Sequence, residues 1–104
     1  MLIGENMKIV VIGINHKKAG LNIREKLCFN NDNLPEYYSG LKNHSEIRES
    51  FILSTCNRVE LYGVGEDAKV IAERLSSFLC QVHELPLDFL KKYSYVKIDL
   101  DAIV

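Results

Sequence analysis

The sequence has no tryptophan, only two prolines and no surplus of either charge in its 104 residues. Thirteen basic residues against 14 acidic ones leave a formal net charge of -1. That excludes a domain whose main task is non-specific nucleic-acid binding, which needs a basic surface. It leaves room for one local contact to RNA. No apolar run approaches the ~20 residues of a membrane span, so no membrane partner is expected. Glu5, Asn6 and Lys8 interrupt the apolar residues of the start, unlike a signal peptide. The three cysteines, Cys28, Cys56 and Cys80, are an odd number at wide spacings. They form neither a disulfide framework nor a C-x-x-C metal pattern. The expectation is a cytoplasmic protein with free thiols and no metal site. What remains is ordinary for a globular chain, 47% hydrophobic and 26% charged, long enough for one domain with one core.

Hydrophobic patterning orders the elements. Residues 1–6 are expected to be a disordered start, with Met7 as an alternative initiator. Lys8 to Ile14 is a β-branched apolar run of strand length, the mark of a central strand covered on both faces. After the loop Asn15-His16-Lys17-Lys18-Ala19-Gly20, Asn22-Ile23-Arg24-Glu25 has the spacing of a capping box, opening a short helix to about Cys28. Asn33-Leu34-Pro35-Glu36 repeats that logic, and Leu34, Tyr37, Tyr38 and Leu41 then share one helical face. Glu49 to Leu53 is a second strand. Val59, Leu61 and Gly63 alternate with Glu60, Tyr62 and Val64 in a third.

Gly65-Glu66-Asp67 caps a longer helix whose stripe is Val70, Ile71, Leu75, Phe78, Leu79 and Val82. Leu87 to Leu90 adds a turn of helix after Pro86, and Tyr93 to Ile98 alternates as a last strand. The order βα-ββ-αβ predicts an α+β fold, a ferredoxin-like βαββαβ sandwich of four antiparallel strands with helices on one face. Residues 7–98 form that domain. Asp99 to Val104 reads as the cut start of a further helix, so the chain is expected to be a piece of a longer protein.

The chemistry concentrates at Ser54-Thr55-Cys56-Asn57-Arg58, between the strand runs Phe51-Ile52-Leu53 and Val59 to Val64. A core-filling cysteine would sit among the apolar residues of either run. Here the neighbours are hydroxyls, an amide, a guanidinium and turn N–H groups, which stabilise the thiolate that attacks carbonyl carbon. A polar hairpin turn that contains a cysteine is the alternative.

Two segments together resemble the N-terminal catalytic domain of glutamyl-tRNA reductase. One is Gly13-Ile14-Asn15-His16-Lys17-Lys18-Ala19 followed by Ile23-Arg24-Glu25-Lys26-Leu27. The other is Leu53-Ser54-Thr55-Cys56-Asn57-Arg58-Val59-Glu60-Leu61-Tyr62, which matches the family's S-T-C-N-R-x-E-x-Y signature without a gap. The resemblance implies NADPH-dependent reduction of glutamyl-tRNA to glutamate-1-semialdehyde, the first step of tetrapyrrole (haem) biosynthesis. It implies that Cys56 is the nucleophile that holds glutamate as a thioester. Thr55, Asn57 and Arg58 would bind the substrate, the guanidinium fork suiting a carboxylate. The cofactor would sit in a nicotinamide-binding domain outside this chain, and a homodimer would form through a C-terminal domain also outside it. The downstream aminomutase is a further implied partner. The family commonly has proline where this chain has Gly20, and its acid/base histidine lies on the helix that begins at Leu100, past Val104. This chain is therefore expected to be catalytically incomplete alone.

Further candidates stand behind these. Ser54 is placed to support the thiolate or an oxyanion. His16 either lines the pocket or caps the next element. Arg24 lies at the loop–helix junction, and Glu60 reads either as a site residue or as half of a cross-strand charge pair. His44 reads as solvated, His83 as a cation at a helix C-terminus, and Cys28 and Cys80 as packing or surface thiols. A non-catalytic module of the same fold, binding a small ligand or RNA, is the rival function. RNA recognition on such a sheet wants stacking aromatics on the two central strands. The first strand has none and the third only Tyr62.

Overall fold

The structure, a computed structural model, describes residues 7–15, 20–55 and 58–98, without the side chains of Asn15, Leu21, Arg24, Glu25 and Asn31. The expected disordered start (1–6) and truncated helix (99–104) lie outside the described residues. Among the described residues, four strands and four helices follow one another as β1 (Lys8–Asn15), α1 (Leu21–Leu27), α2 (Leu34–Lys42), β2 (Glu49–Ser54), β3 (Arg58–Gly65), α3 (Ala68–His83), α4 (Leu87–Tyr93) and β4 (Tyr95–Ile98). A single 3-10 turn, Asn31–Asn33, leads into α2.

The strands form one sheet in the order β2-β3-β1-β4, with every neighbouring pair antiparallel. This is the ferredoxin-like sandwich that the element order predicts. The β-branched run of β1 takes a central place because it can be covered on both faces, and Val10, Val11, Ile12 and Ile14 are all buried. Val10, Ile12 and Ile14 join Val59 and Leu61 of β3 under the helices, where Leu27, Leu41, Ile71, Leu75, Phe78, Leu79 and Leu90 complete the core. Gly63 lets α3 lie close on the sheet: a Cβ there would stand 2.8 Å from Ile71 Cγ2 and 3.2 Å from Leu75 Cδ1.

The helix ends show where local signals mislead. Asp67 caps α3 as its position suggests, its Oδ1 accepting from the Val70 N–H at 3.2 Å. For α1 the N-cap is Gly20, with no side-chain cap bond, and Asn22 falls inside the first turn instead of before it. Asn33 does precede α2, but it too makes no side-chain cap bond. Tyr93, read as the start of the last strand, closes α4, and β4 begins at Tyr95. The alternation of Tyr93 and Tyr95 satisfied a period of two by coincidence.

His83 corrects a second expectation. It does stand in the last turn of α3, but its ring packs edge-on against Phe29 at 5.0 Å between centroids. Its Nε2 is buried with no hydrogen-bond partner among the described residues. Burial lowers its pKa from the ordinary 6.5, with the Leu27 backbone pulling weakly the other way. A folded state that resists protonation binds fewer protons than the unfolded chain. The stability held through His83 is therefore complete above about pH 6.5 and is lost as the pH falls towards the lowered folded value. Urea melts on either side of that pH should show the wild-type chain losing more stability on acidification than His83→Gln. Equal losses would mean that the ring titrates freely.

Candidate active site

The corner between β2 and β3 is closed by its flanks. Thr55 N–H donates to the Arg58 carbonyl at 2.9 Å. The Arg58 N–H donates to Thr55 Oγ1 at 3.2 Å, and that hydroxyl donates in turn to the Arg58 carbonyl at 3.3 Å. Cys56 and Asn57 occupy the two positions between these residues in the sequence and lie outside the described residues, as does His16. The backbone of Arg24 is in α1, while its side chain is outside the description.

Strand pairing sends the motif's side chains to opposite sides of the sheet, because partners across antiparallel strands share a face. Ser54 pairs with the buried Val59 and so turns towards the helices. Its Oγ accepts from the Phe29 N–H at 3.0 Å, which ties the segment after α1 to the end of β2. Arg58 and Glu60 emerge on the other face, away from the helices among the described residues. Asn15 is the register partner of Arg58, so β1 leaves the sheet beside the corner.

Glu60 is the only charged residue buried among those described, 5% exposed. A carboxylate can be buried there only if its lone pairs are taken up, and here they are. Tyr62 Oη donates to Oε1 at 3.0 Å, and Tyr95 Oη donates to Oε2. Arg58 Nη1 stands 3.6 Å from Oε1 while 55% of its side chain stays exposed. At that distance the ion pair aligns the guanidinium without consuming its donors. The fork keeps the capacity to take a second carboxylate from solvent. Burial pushes the Tyr95 phenol well above its ordinary pKa, and its hydrogen bond to Glu60 adds to the shift. The same causes in the same order raise Tyr62. Both phenols therefore keep their protons and remain donors throughout the neutral range.

Of the expected site residues, the structure brings Thr55, Arg58 and Glu60 to one end of β3 and sends Ser54 to the core side. Sequence reasoning missed Tyr62 and Tyr95 as partners of Glu60. Tyr62 was within reach, since residues two apart on a strand share a face. Tyr95 was not, because only the β1–β4 register brings it near.

Among the described residues, no group of histidine, cysteine and carboxylate side chains is arranged to hold a metal ion, and no helix is long and apolar enough to cross a membrane. The antiparallel sheet also lacks the parallel βαβ unit with a glycine-rich turn that cradles a dinucleotide. These residues do not fit NADPH.

Comparisons with known proteins agree with this picture. Residues 12–104 match the sequence model of the family described as glutamyl-tRNAGlu reductase, N-terminal domain. The glutamyl-tRNA reductase of Rippkaea orientalis is 36% identical over 97 residues, 93% of this chain and 23% of that protein. That of Magnetococcus marinus shows the same identity and coverage. The chain thus spans under a quarter of the length of these curated relatives. Among solved structures, glutamyl-tRNA reductase from Methanopyrus kandleri superposes with a TM-score of 0.63 at 27% identity, over 91% of this chain and 20% of that one.

Proposed function

This chain belongs to the family of glutamyl-tRNA reductase N-terminal domains, and from that membership we propose that it is the substrate-activating part of an enzyme reducing glutamyl-tRNA to glutamate-1-semialdehyde. The working unit is residues 7–98. Cys56 is the nucleophile. Its thiolate attacks the ester carbonyl carbon that joins glutamate to the terminal ribose. A C–S bond forms, the C–O bond to the ribose breaks, and the ribose oxygen takes a proton from water and leaves as a hydroxyl. NADPH, for which the described residues of this chain offer no site, would supply the hydride that reduces the thioester.

The residues of this chain bind and orient. The α-carboxyl of the substrate is esterified, so its one free carboxylate is that of the side chain. Arg58 takes it with the guanidinium face that Glu60 leaves open, and Thr55 and Asn57 line the same pocket. The observation that carries this reading is the exposed Arg58 fork, held by a buried carboxylate beside the hairpin that contains Cys56. Ser54 braces the end of β2 through Phe29 and stays outside the pocket, and His16 and Arg24 are further residues for substrate contact. The complete protein works as a cytoplasmic homodimer through its C-terminal region and passes its aldehyde to the aminomutase.

The test is covalent trapping. Incubating the complete reductase with glutamyl-tRNA without NADPH, quenching in acid and mapping peptides by mass spectrometry should reveal a glutamyl adduct on the Cys56 peptide. An adduct confined to Cys28 or Cys80, or none at all, would remove the thioester mechanism.

A further inference from the structure

Glu60 is gripped both from its own strand and from another. Its carboxylate is fixed at both oxygens, yet one of the two groups that fix it comes from the far side of the sheet. Glu60 is on β3 and Tyr95 on β4, and β1 runs between them. Gly13 is the register partner of both, Glu60 on one side and Tyr95 on the other. Two strand spacings separate β3 from β4, roughly 10 Å, and Tyr95 spans the gap by lying over the bare Cα of Gly13. A Cβ at Gly13 would stand 2.5 Å from both Cζ and Oη of that ring and 2.9 Å from Cε2. Any side chain there would displace the phenol. A glycine inside an otherwise β-branched strand weakens it, and close approach of another group is the usual reason to keep one.

We propose that Tyr95 is a positioning residue for substrate recognition: laid across Gly13, its phenol locks the Glu60 carboxylate, and the locked carboxylate sets the direction of the Arg58 guanidinium. The proposal rests on the reading that Arg58 binds the side-chain carboxylate of glutamate. Tyr62 and Arg58 both engage Oε1, whereas Tyr95 engages Oε2 among the described residues. Without Tyr95 the carboxylate keeps donors on one oxygen only and is free to turn about its terminal torsion, which has no sharp minima. Lys97 places its Nζ 5.4 Å from the Tyr95 ring centroid and helps hold the ring down on the sheet.

The predicted signature follows from where Arg58 acts. The substrate's side-chain carboxylate is remote from the reacting carbonyl and is bound alike in the ground and transition states. Losing such uniform binding raises KM and leaves kcat nearly unchanged. In the complete reductase, Tyr95→Phe should raise KM for glutamyl-tRNA roughly tenfold, the range of one charge-assisted hydrogen bond, with kcat within about twofold. Gly13→Ala removes no polar group and only displaces the ring, so it should reproduce the split. On an Arg58→Lys background, itself raised in KM because the fork is lost, Tyr95→Phe should add nothing.

An unchanged KM in both single variants, beside a raised KM in Arg58→Lys, overturns the inference and spares the pocket. A Tyr95→Phe effect that persists in full on Arg58→Lys also overturns it, since the phenol would then act by another route. If Arg58→Lys is itself silent, the pocket reading falls and the inference with it.

Discussion

Cys56→Ser should leave the complete enzyme without measurable NADPH-dependent reduction, a fall of at least about a thousandfold, if the proposed covalent nucleophile is removed. Serine keeps the shape of the side chain but loses the chemistry. Its hydroxyl stays protonated at neutral pH, and the ester it would form is no more reactive than the one it replaced. The fold should survive, because the corner is closed by Thr55 and Arg58 bonding to one another. The check is turnover with glutamyl-tRNA beside a thermal melt of the same preparation. Near-normal turnover would end the thioester mechanism, whereas lost turnover with an unchanged melt would support it.

The largest effect expected on stability lies elsewhere. Leu75 on α3 has no exposed surface, and its methyls lie over Gly63, where a Cβ would be 3.2 Å from Cδ1 and 3.5 Å from Cδ2. Leu75→Ala should cost ~2–5 kcal/mol, the range for a leucine cut back in a packed core. Gly63 puts it near the upper part of that range, since a residue without a side chain cannot swing in to fill the void. For a chain of this length the melting temperature falls by about 10–30 °C. Circular dichroism of Leu75→Ala against the wild type measures it. A loss under about 1 kcal/mol would mean that α3 settles onto the sheet instead of leaving a cavity.

The sandwich was readable because its main elements carry unambiguous periods. The run from Lys8, the alternation from Val59 and the stripe from Val70 to Val82 admit one interpretation each, and their order restricts the topology. The errors arose where a local signal competed with packing. Asn22 had capping chemistry, yet α1 begins before it at Leu21. His83 sits at a helix end, where a cation is favoured, but the same position presses it against Phe29.

The site was legible in proportion to its locality. Thr55 and Arg58 are adjacent in a motif and adjacent in space. Ser54 belongs to the same string, and strand alternation turns it the other way. Gly13, Glu60 and Tyr95 are distant in sequence, so nothing short of the strand register shows that they form one cluster. Even there a hint existed, since a glycine amid Val10, Val11, Ile12 and Ile14 has no role in packing that strand.

The bridge over Gly13 also sets an order of events as the chain folds. The hairpin of β2 and β3 is local and closes early, but β4 pairs with a strand some eighty residues upstream, from Gly13 opposite Tyr95 to Val10 opposite Ile98. Contacts of such long sequence separation are the slow ones. During synthesis Arg58 and Glu60 therefore emerge, fold and wait, and the guanidinium acquires its direction only when the final strand docks. On the proposed mechanism, a nascent chain that has made its nucleophile has not yet made its grip on the substrate.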